Sequence, residues 1–241
     1  SFLRQYRRFK QLSRTSSTQF RPTWSETAPC LEENGTGHAF DRHYVLHPAW
    51  AMRHIASLRP DQHVDVSSTL SFATMLSAFV RTSYYEFRQL QLDLANLVCG
   101  AADLTALPFG TGTIPSLSCM HVVEHIGLGR YGDPLNPDGD LAAMRELERV
   151  LAVGGSLFFV VPVGRPRVMF NAHRIYSVGQ VRDAFSGLRL REFSLIPDDP
   201  NVGDIITNAP DELANNQEYG CGCFWFTKEA EVSTLAPTEG K

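Results

Sequence analysis

No apolar run in the 241 residues approaches the roughly 20 that would span a bilayer, and no signal-peptide pattern opens the chain. A membrane-spanning helix is therefore not expected. Ser1 is not expected to be the native start, which leaves a removed targeting segment open. Cysteine is scarce: five residues, an odd number, scattered as Cys30, Cys99, Cys119, Cys221 and Cys223. Three of them fall in or beside expected buried strands, which suits a reducing, cytoplasmic setting rather than a disulfide framework. The phosphate-cradling GxGxxG is missing, which argues against a nicotinamide oxidoreductase. Acid is absent from the first fourteen residues, where Arg4, Arg7, Arg8, Lys10 and Arg14 stand. Without those five positive charges the net −4 becomes −9, so the basic charge is local. Such an arm could meet a membrane surface or an acidic partner, or pack through Phe2, Tyr6 and Phe9; nothing in it points clearly to nucleic acid.

What is present is ordinary for one globular core, with 43% hydrophobic and 20% charged residues. Residues 1–40 read as a basic extension and a Ser-, Thr- and Pro-rich linker, 41–228 as one domain, and 229–241 as a polar tail. Within the domain, short apolar runs alternate with helical runs, and a polar loop follows each apolar run. This pattern predicts a parallel sheet with crossover helices and a ligand site beyond the carboxyl ends of its strands. Strands are expected at Val64–Val66, Tyr84–Phe87, Leu97–Cys99, Leu117–Met120 and Ser156–Val161. The last is a continuous apolar run suited to burial on both faces.

Helices are expected to start at Pro48, to present Phe72, Met75, Leu76 and Phe79, and to run from an Asp140 cap to Gly154-Gly155. Ser177 and Gln180 have capping-box spacing. Leu188–Ile196 and Tyr219–Thr227 have no convincing helix between them and should pair antiparallel.

DLTALPF, the Glu124-His125 pair and ELERVLAVGGSLFFVVPVG resemble the corresponding stretches of S-adenosylmethionine-dependent methyltransferases, over roughly Val64 to Pro162. HVDV, EHIGLGRYGDP, NPDGD, VPVG, FNAHR and YGCG together resemble a methyltransferase-like family catalogued as domain of unknown function 268, over about Tyr44 to Lys228. The resemblance implies an α/β, Rossmann-like class I methyltransferase fold. Its sheet would have seven mostly parallel strands ending in an antiparallel pair, with helices on both faces. It implies S-adenosylmethionine as cofactor, held by Asp65, Ser67, Ser68, Glu86, Asp103, Leu104 and His121.

Glu86 lies 21 residues after Asp65, near the spacing at which an acid accepts from ribose hydroxyls. Asp103 would take the adenine amino group beside the Leu104 and Thr105 amides. Each acid could instead be a strand-end or turn residue. One departure stands out: Ser67-Ser68-Thr69-Leu70-Ser71 occupies the first loop without a glycine, and Ser67 stands where the family keeps one.

On the acceptor side, the resemblance brings His125, Asp133 in the GLGRYGDPLNPDGD loop, and His173 into catalytic positions. His125 or His173 would be the general base, an imidazole titrating near neutrality; His173 could equally only pin its loop. His121, Glu124 and His125 also spell the HxxEH of some zinc peptidases, but the motif follows a strand and no third ligand is identifiable, so no metal is expected. Cys221 and Cys223 share one strand face, for packing. The loop lacks the NPPY signature of amino-group methylation. A small polar acceptor, with a sugar or glycan hydroxyl as one candidate, is the functional expectation; a catalytically silent binding or scaffolding module is the alternative.

Overall fold

In the computed structural model, which describes residues 2–15, 22–27 and 40–230, the chain forms two compact units, 1–40 and 41–241. In the first, helix α1 (Phe2–Thr15) sets Phe2 and Tyr6 against Trp24, ring centroids 6.4 and 5.2 Å apart. Most of the expected linker, Cys30, and the tail from residue 231 lie outside the described residues. Among those described, no helix is long and apolar enough to cross a membrane.

The second unit is built on an eight-stranded sheet. Its strands are β1 (Gln62–Val66), β2 (Arg81–Glu86), β3 (Leu97–Ala101), β4 (Ile114–Met120), β5 (Leu151–Val163), β8 (Arg189–Ile196), β9 (Ile206–Thr207) and β10 (Gly220–Thr227). The order is β3-β2-β1-β4-β5-β10-β8-β9, parallel from β3 to β5 and antiparallel thereafter. The expected antiparallel pair is present, and the two-residue β9 adds an eighth strand to the seven expected. A hairpin of β6 (Arg167–Met169) and β7 (His173–Ile175) stands apart from this sheet.

Alternation along β5 divides the core. Leu157, Phe159 and Val161 face α4 (Gly139–Val150) and α5 (Val178–Ala184), joining Met144, Leu147, Val181 and Phe185. Phe158 and Val160 join Trp50 and Ile55 of α2 (Arg42–Leu58) and Phe72 and Leu76 of α3 (Leu70–Leu76). Burial on both faces is what a central strand requires, and it explains the unbroken apolar run.

Three helix boundaries differ from expectation. α2 starts at Arg42, capped by Asp41, whose carboxylate accepts from the Tyr44 amide, and Pro48 lies inside the helix. Proline removes one backbone bond there, but the Asp41 cap and burial of the Trp50 and Ile55 face keep the helix running. Asp140 is not a cap: its carboxylate is buried and accepts from the Tyr176 hydroxyl at 2.9 Å. Gly154-Gly155 does not end a helix either. α4 stops at Val150, and the glycines lie in a bulge between the Ile114–Leu151 and Ser116–Ser156 pairs, with Gly154 at φ +77. On α3 only Phe72 and Leu76 of the expected face are buried; Met75 and Phe79 are each 54% exposed, and Ala73 takes the inner position. The Ser177–Gln180 capping box forms as read.

Candidate functional site

The strand order reverses at β1, with β2 and β3 on one side and β4 and β5 on the other. A cavity of about 510 Å³ opens beyond the carboxyl ends there, which is where open α/β sheets hold ligands. Ser67, Glu86, Asp103, Leu104 and His121 line it from four strand ends, and His125 and Asp133 from the far side. The cavity therefore gathers seven of the ten expected site residues. Asp65 and Ser68 lie behind the wall, and His173 is outside the lining.

Ser67 adopts φ +57, the left-handed region that side-chain-bearing residues avoid. Its amide donates to Tyr85 O at 2.7 Å, and its hydroxyl to Glu86 Oε1 at 3.2 Å. Glu86 also accepts from the Phe87 amide and the Tyr84 hydroxyl, each at 3.0 Å. Asp103 Oδ1 accepts the Thr105 amide at 2.8 Å and hydroxyl at 2.7 Å, a tight side-chain turn at the cavity's edge.

Behind this wall runs a buried polar chain. His63 joins the hydroxyls of Ser116 and Ser118, each at 2.8 Å; Ser118 donates to Asp65, and Asp65 accepts the Ser68 amide at 3.2 Å. Asp65 and Ser68 thus brace the first loop rather than face a ligand, since Ser68 Oγ in turn accepts from the Met120 amide. Burial, reinforced by the Glu86 charge and opposed by bonds from Ser118 and Ser68, lifts Asp65 from an ordinary 3.8 to about 7. The folded chain holds a proton there that the unfolded chain releases above about pH 4. Asp65 therefore contributes stability at low pH that is lost as pH rises towards 7. Relative to Asp65→Asn, the unfolding free energy of the native chain should fall between about pH 4 and 7 and level off above; parallel urea titrations of the two proteins across that range check this, and a flat difference refutes it.

The far wall is the segment from Ile126 to Gly139. Asp133 accepts amides from Gly127 at 2.7 Å, Gly129 at 3.4 Å and Tyr131 at 3.2 Å. Burial alone would raise its pKa, but those amide bonds bring it below the usual carboxylate range. Gly127 sits at φ +81 with the Asn136 carbonyl where a Cβ would be, so only glycine fits. Arg174 ties the same segment from β7, reaching Ile126 O at 2.7 Å, Pro137 O at 3.0 Å and Asp140 at 3.4 Å.

His121, at φ +58, presents Nδ1 to Glu124 Oε1 at 2.8 Å, and His125 Nε2 lies 3.8 Å from the same oxygen. The two histidines flank one carboxylate and are not successive turns of a helix, so the peptidase reading of HxxEH does not hold. His125 Nδ1 meets Ala172 O at 2.6 Å and so carries the hydrogen, leaving Nε2 as the basic nitrogen. His173 stands behind, its ring centroid 6.4 Å from that of His125 and 4.8 Å from that of Tyr219. Burial, together with the neighbouring His125, Arg130 and Arg167, lowers its pKa despite the Glu124 charge.

Reading the sequence alone missed Arg88, whose guanidinium donates to Tyr131 O at 3.1 Å across the cavity mouth. It also missed His43 and His47, which stack on or against His121. The four-residue spacing of those histidines in DRHYVLHP was the available signal, obscured by placing the helix start at Pro48.

A family model described as "Caenorhabditis protein of unknown function, DUF268" matches residues 112–194, from just before β4 to within β8. No curated protein matches in sequence. Among solved structures, the [4+2]-cyclase SpnF is 14% identical with a TM-score of 0.54, covering 76% of this chain and 81% of its own. The 1,6-didemethyltoxoflavin-N1-methyltransferase of Burkholderia thailandensis, solved with its substrate and S-adenosylhomocysteine, is 12% identical with a TM-score of 0.54, covering 76% and 79%. The N-methyltransferase NodS of Bradyrhizobium japonicum, in complex with S-adenosylhomocysteine, is 12% identical with a TM-score of 0.52, covering 76% and 86%. The fold is that of the class I methyltransferases.

Proposed function

We propose that the cavity binds S-adenosylmethionine and that the chain methylates a small polar acceptor, a sugar or glycan hydroxyl being the first class to test. One observation carries this reading: Glu86 and Asp103, from the ends of β2 and β3, line a single cavity at the reversal of strand order. The donor set fits the group. A carboxylate at each of two adjacent strand ends suits ribose hydroxyls and an adenine amino group, and about 510 Å³ is ample for an adenosine-sized ligand.

Bound there, S-adenosylmethionine supplies an electrophilic methyl group. The chain's part is to orient the acceptor and take its proton. His125 is the general base, acting through Nε2, with Nδ1 fixed on Ala172 O and Glu124 placed to stabilise the imidazolium. His173 positions His125 from behind. Asp133, held by three amides, keeps the acceptor wall in shape. A cytoplasmic, reducing setting agrees with the buried free thiols of Cys119, Cys221 and Cys223. The basic residues of α1, beside exposed Leu3, Phe9 and Leu12, suit an acidic partner or membrane surface.

A second reading, a silent binding module, is favoured by Ser67: its side chain occupies a left-handed position and already donates to the carboxylate assigned to ribose. The fold also carries a [4+2]-cyclase, so fold alone does not decide. Calorimetric titration of the chain with S-adenosylmethionine and S-adenosylhomocysteine tests the enzyme reading. Micromolar binding supports it; no heat and no thermal shift at millimolar ligand leave the silent module. Ser67→Gly should tighten binding by up to about tenfold, because it frees one acceptor site on Glu86 that the ribose would otherwise compete for, a bond worth about 1.5 kcal/mol. Weaker binding in this variant would mean that the hydroxyl itself holds the ligand.

A further inference from the structure

We propose that His43, His121 and Cys221 form a binding site for a zinc-class divalent metal ion beside the cavity, separate from the cofactor's contacts at Glu86 and Asp103. The three residues come from α2, the loop after β4, and β10, and their ligand atoms all lie within 4.8 Å of one another. Tetrahedral zinc, with Zn–N near 2.0–2.1 Å and Zn–S near 2.3 Å, sets its ligand atoms roughly 3.3–3.8 Å apart. Drawing the group together by about an ångström would complete the site.

Unpartnered buried atoms point to the same place. His121 Nε2, both nitrogens of His47 and Glu124 Oε2 are buried with no hydrogen-bond partner among the described residues. Buried polar groups are ordinarily paired, and here several orphans cluster, with the His47 and His121 ring centroids 5.1 Å apart. A cation would give His121 Nε2 the partner it lacks. Glu124 holds His121 by Nδ1, which leaves Nε2 as the outward ligand atom; a carboxylate behind a metal-binding imidazole fixes its orientation and strengthens it as a ligand. His47, four residues after His43 on α2, packs its ring against His121 and stands beside the fourth, open position.

The ligand chemistry selects the ion. Two imidazoles and a thiolate suit a borderline-soft ion such as zinc, not calcium or magnesium, which take oxygen ligands. The ion would displace the Cys221 proton as the sulfur–metal bond forms. A dication, one thiolate and the Glu124 carboxylate would then balance in charge. Because His121 also lines the cavity, the ion would stand beside the cavity at the end of β4.

The test is titration of the chelator-stripped full chain with Co²⁺, followed by visible absorption, with Zn²⁺ stoichiometry measured by equilibrium dialysis and elemental analysis. One equivalent should bind, with a thiolate-to-cobalt charge-transfer band. Cys221→Ser should abolish the band, and Cys99→Ser, on the distant β3, should retain it. Affinity should fall at least about 100-fold in His43→Gln and about 10- to 100-fold in Glu124→Gln. His43 is only partly buried, so its variant serves if Cys221→Ser fails to fold. Substoichiometric binding, or a band that survives Cys221→Ser, overturns the proposal. Titrating the stripped chain with S-adenosylhomocysteine in parallel keeps this result independent of the cofactor reading.

Discussion

Arg174→Ala should lower the unfolding midpoint by roughly 6–20 °C and loosen the cavity's far wall at the same time. Arg174 is 6% exposed, and its guanidinium reaches four partners: the carbonyls of Ile126, Asn136 and Pro137 and the carboxylate of Asp140. Truncation leaves Asp140 buried with only the Tyr176 hydroxyl to satisfy it, and three loop carbonyls without the Arg174 donor. Removing one partner of a buried ion pair typically costs about 3–5 kcal/mol, and each kcal/mol moves the midpoint by about 2–4 °C in a domain of this size. Scanning calorimetry measures the shift. Arg174→Lys keeps the charge but not the fork and should fall between the two. If most of the loss comes from the stranded Asp140, then Asp140→Leu with Arg174→Leu should recover part of it. A midpoint within 2 °C of the native value would show that the pair does not hold the loop.

Glu86→Ala should weaken S-adenosylhomocysteine binding at least about 100-fold while leaving the fold nearly intact. Two ribose hydroxyls donating to one carboxylate are worth about 1.5–3 kcal/mol each, a combined range of roughly 100- to 10,000-fold. The lower end applies, because the ribose must compete with Ser67, Phe87 and Tyr84 for the same oxygens. In the variant the Tyr84 hydroxyl can donate to Ser68 O, 3.2 Å away, in place of Glu86, which limits the structural cost. Glu86→Gln keeps the shape without the charge and should lie between. Calorimetric affinities within threefold of native would place the ribose elsewhere.

The same contrast between local and distant contacts explains which parts could be read from the sequence. The Leu157–Val161 run, the Ser177–Gln180 box and the C-terminal strand pair are written in neighbouring residues, and each is present. Strand-end residues such as Glu86, Asp103 and His121 were legible because a parallel sheet sends every strand end to one edge. Asp65 misled, because a strand end can also point back into the core, towards Ser118, 53 residues away. Asp140 has a capping residue's chemistry, but Tyr176 and Arg174, 36 and 34 residues on, claim its carboxylate. Arg174 grips carbonyls 37 and 48 residues earlier, and no local pattern encodes that. Pro48 dominated the reading of α2 because its effect is local, whereas the burial that overrides it comes from the sheet.

The position of β10 bears on how the chain is made. It is the last strand among the described residues, yet it lies between β5 and β8, pairing with both over nearly its full length. During synthesis β5 and β8 emerge first, each with an open row of amides and carbonyls and apolar side chains such as Phe159 and Phe193. They must wait until Thr227 has left the ribosome before a partner arrives. Until then the nascent chain carries two sticky edges facing one empty slot, a template for the β10 of a neighbouring chain as much as for its own. Crowding on a polysome, and the holdases that shield such edges, would therefore govern yield more than the final stability of the sheet.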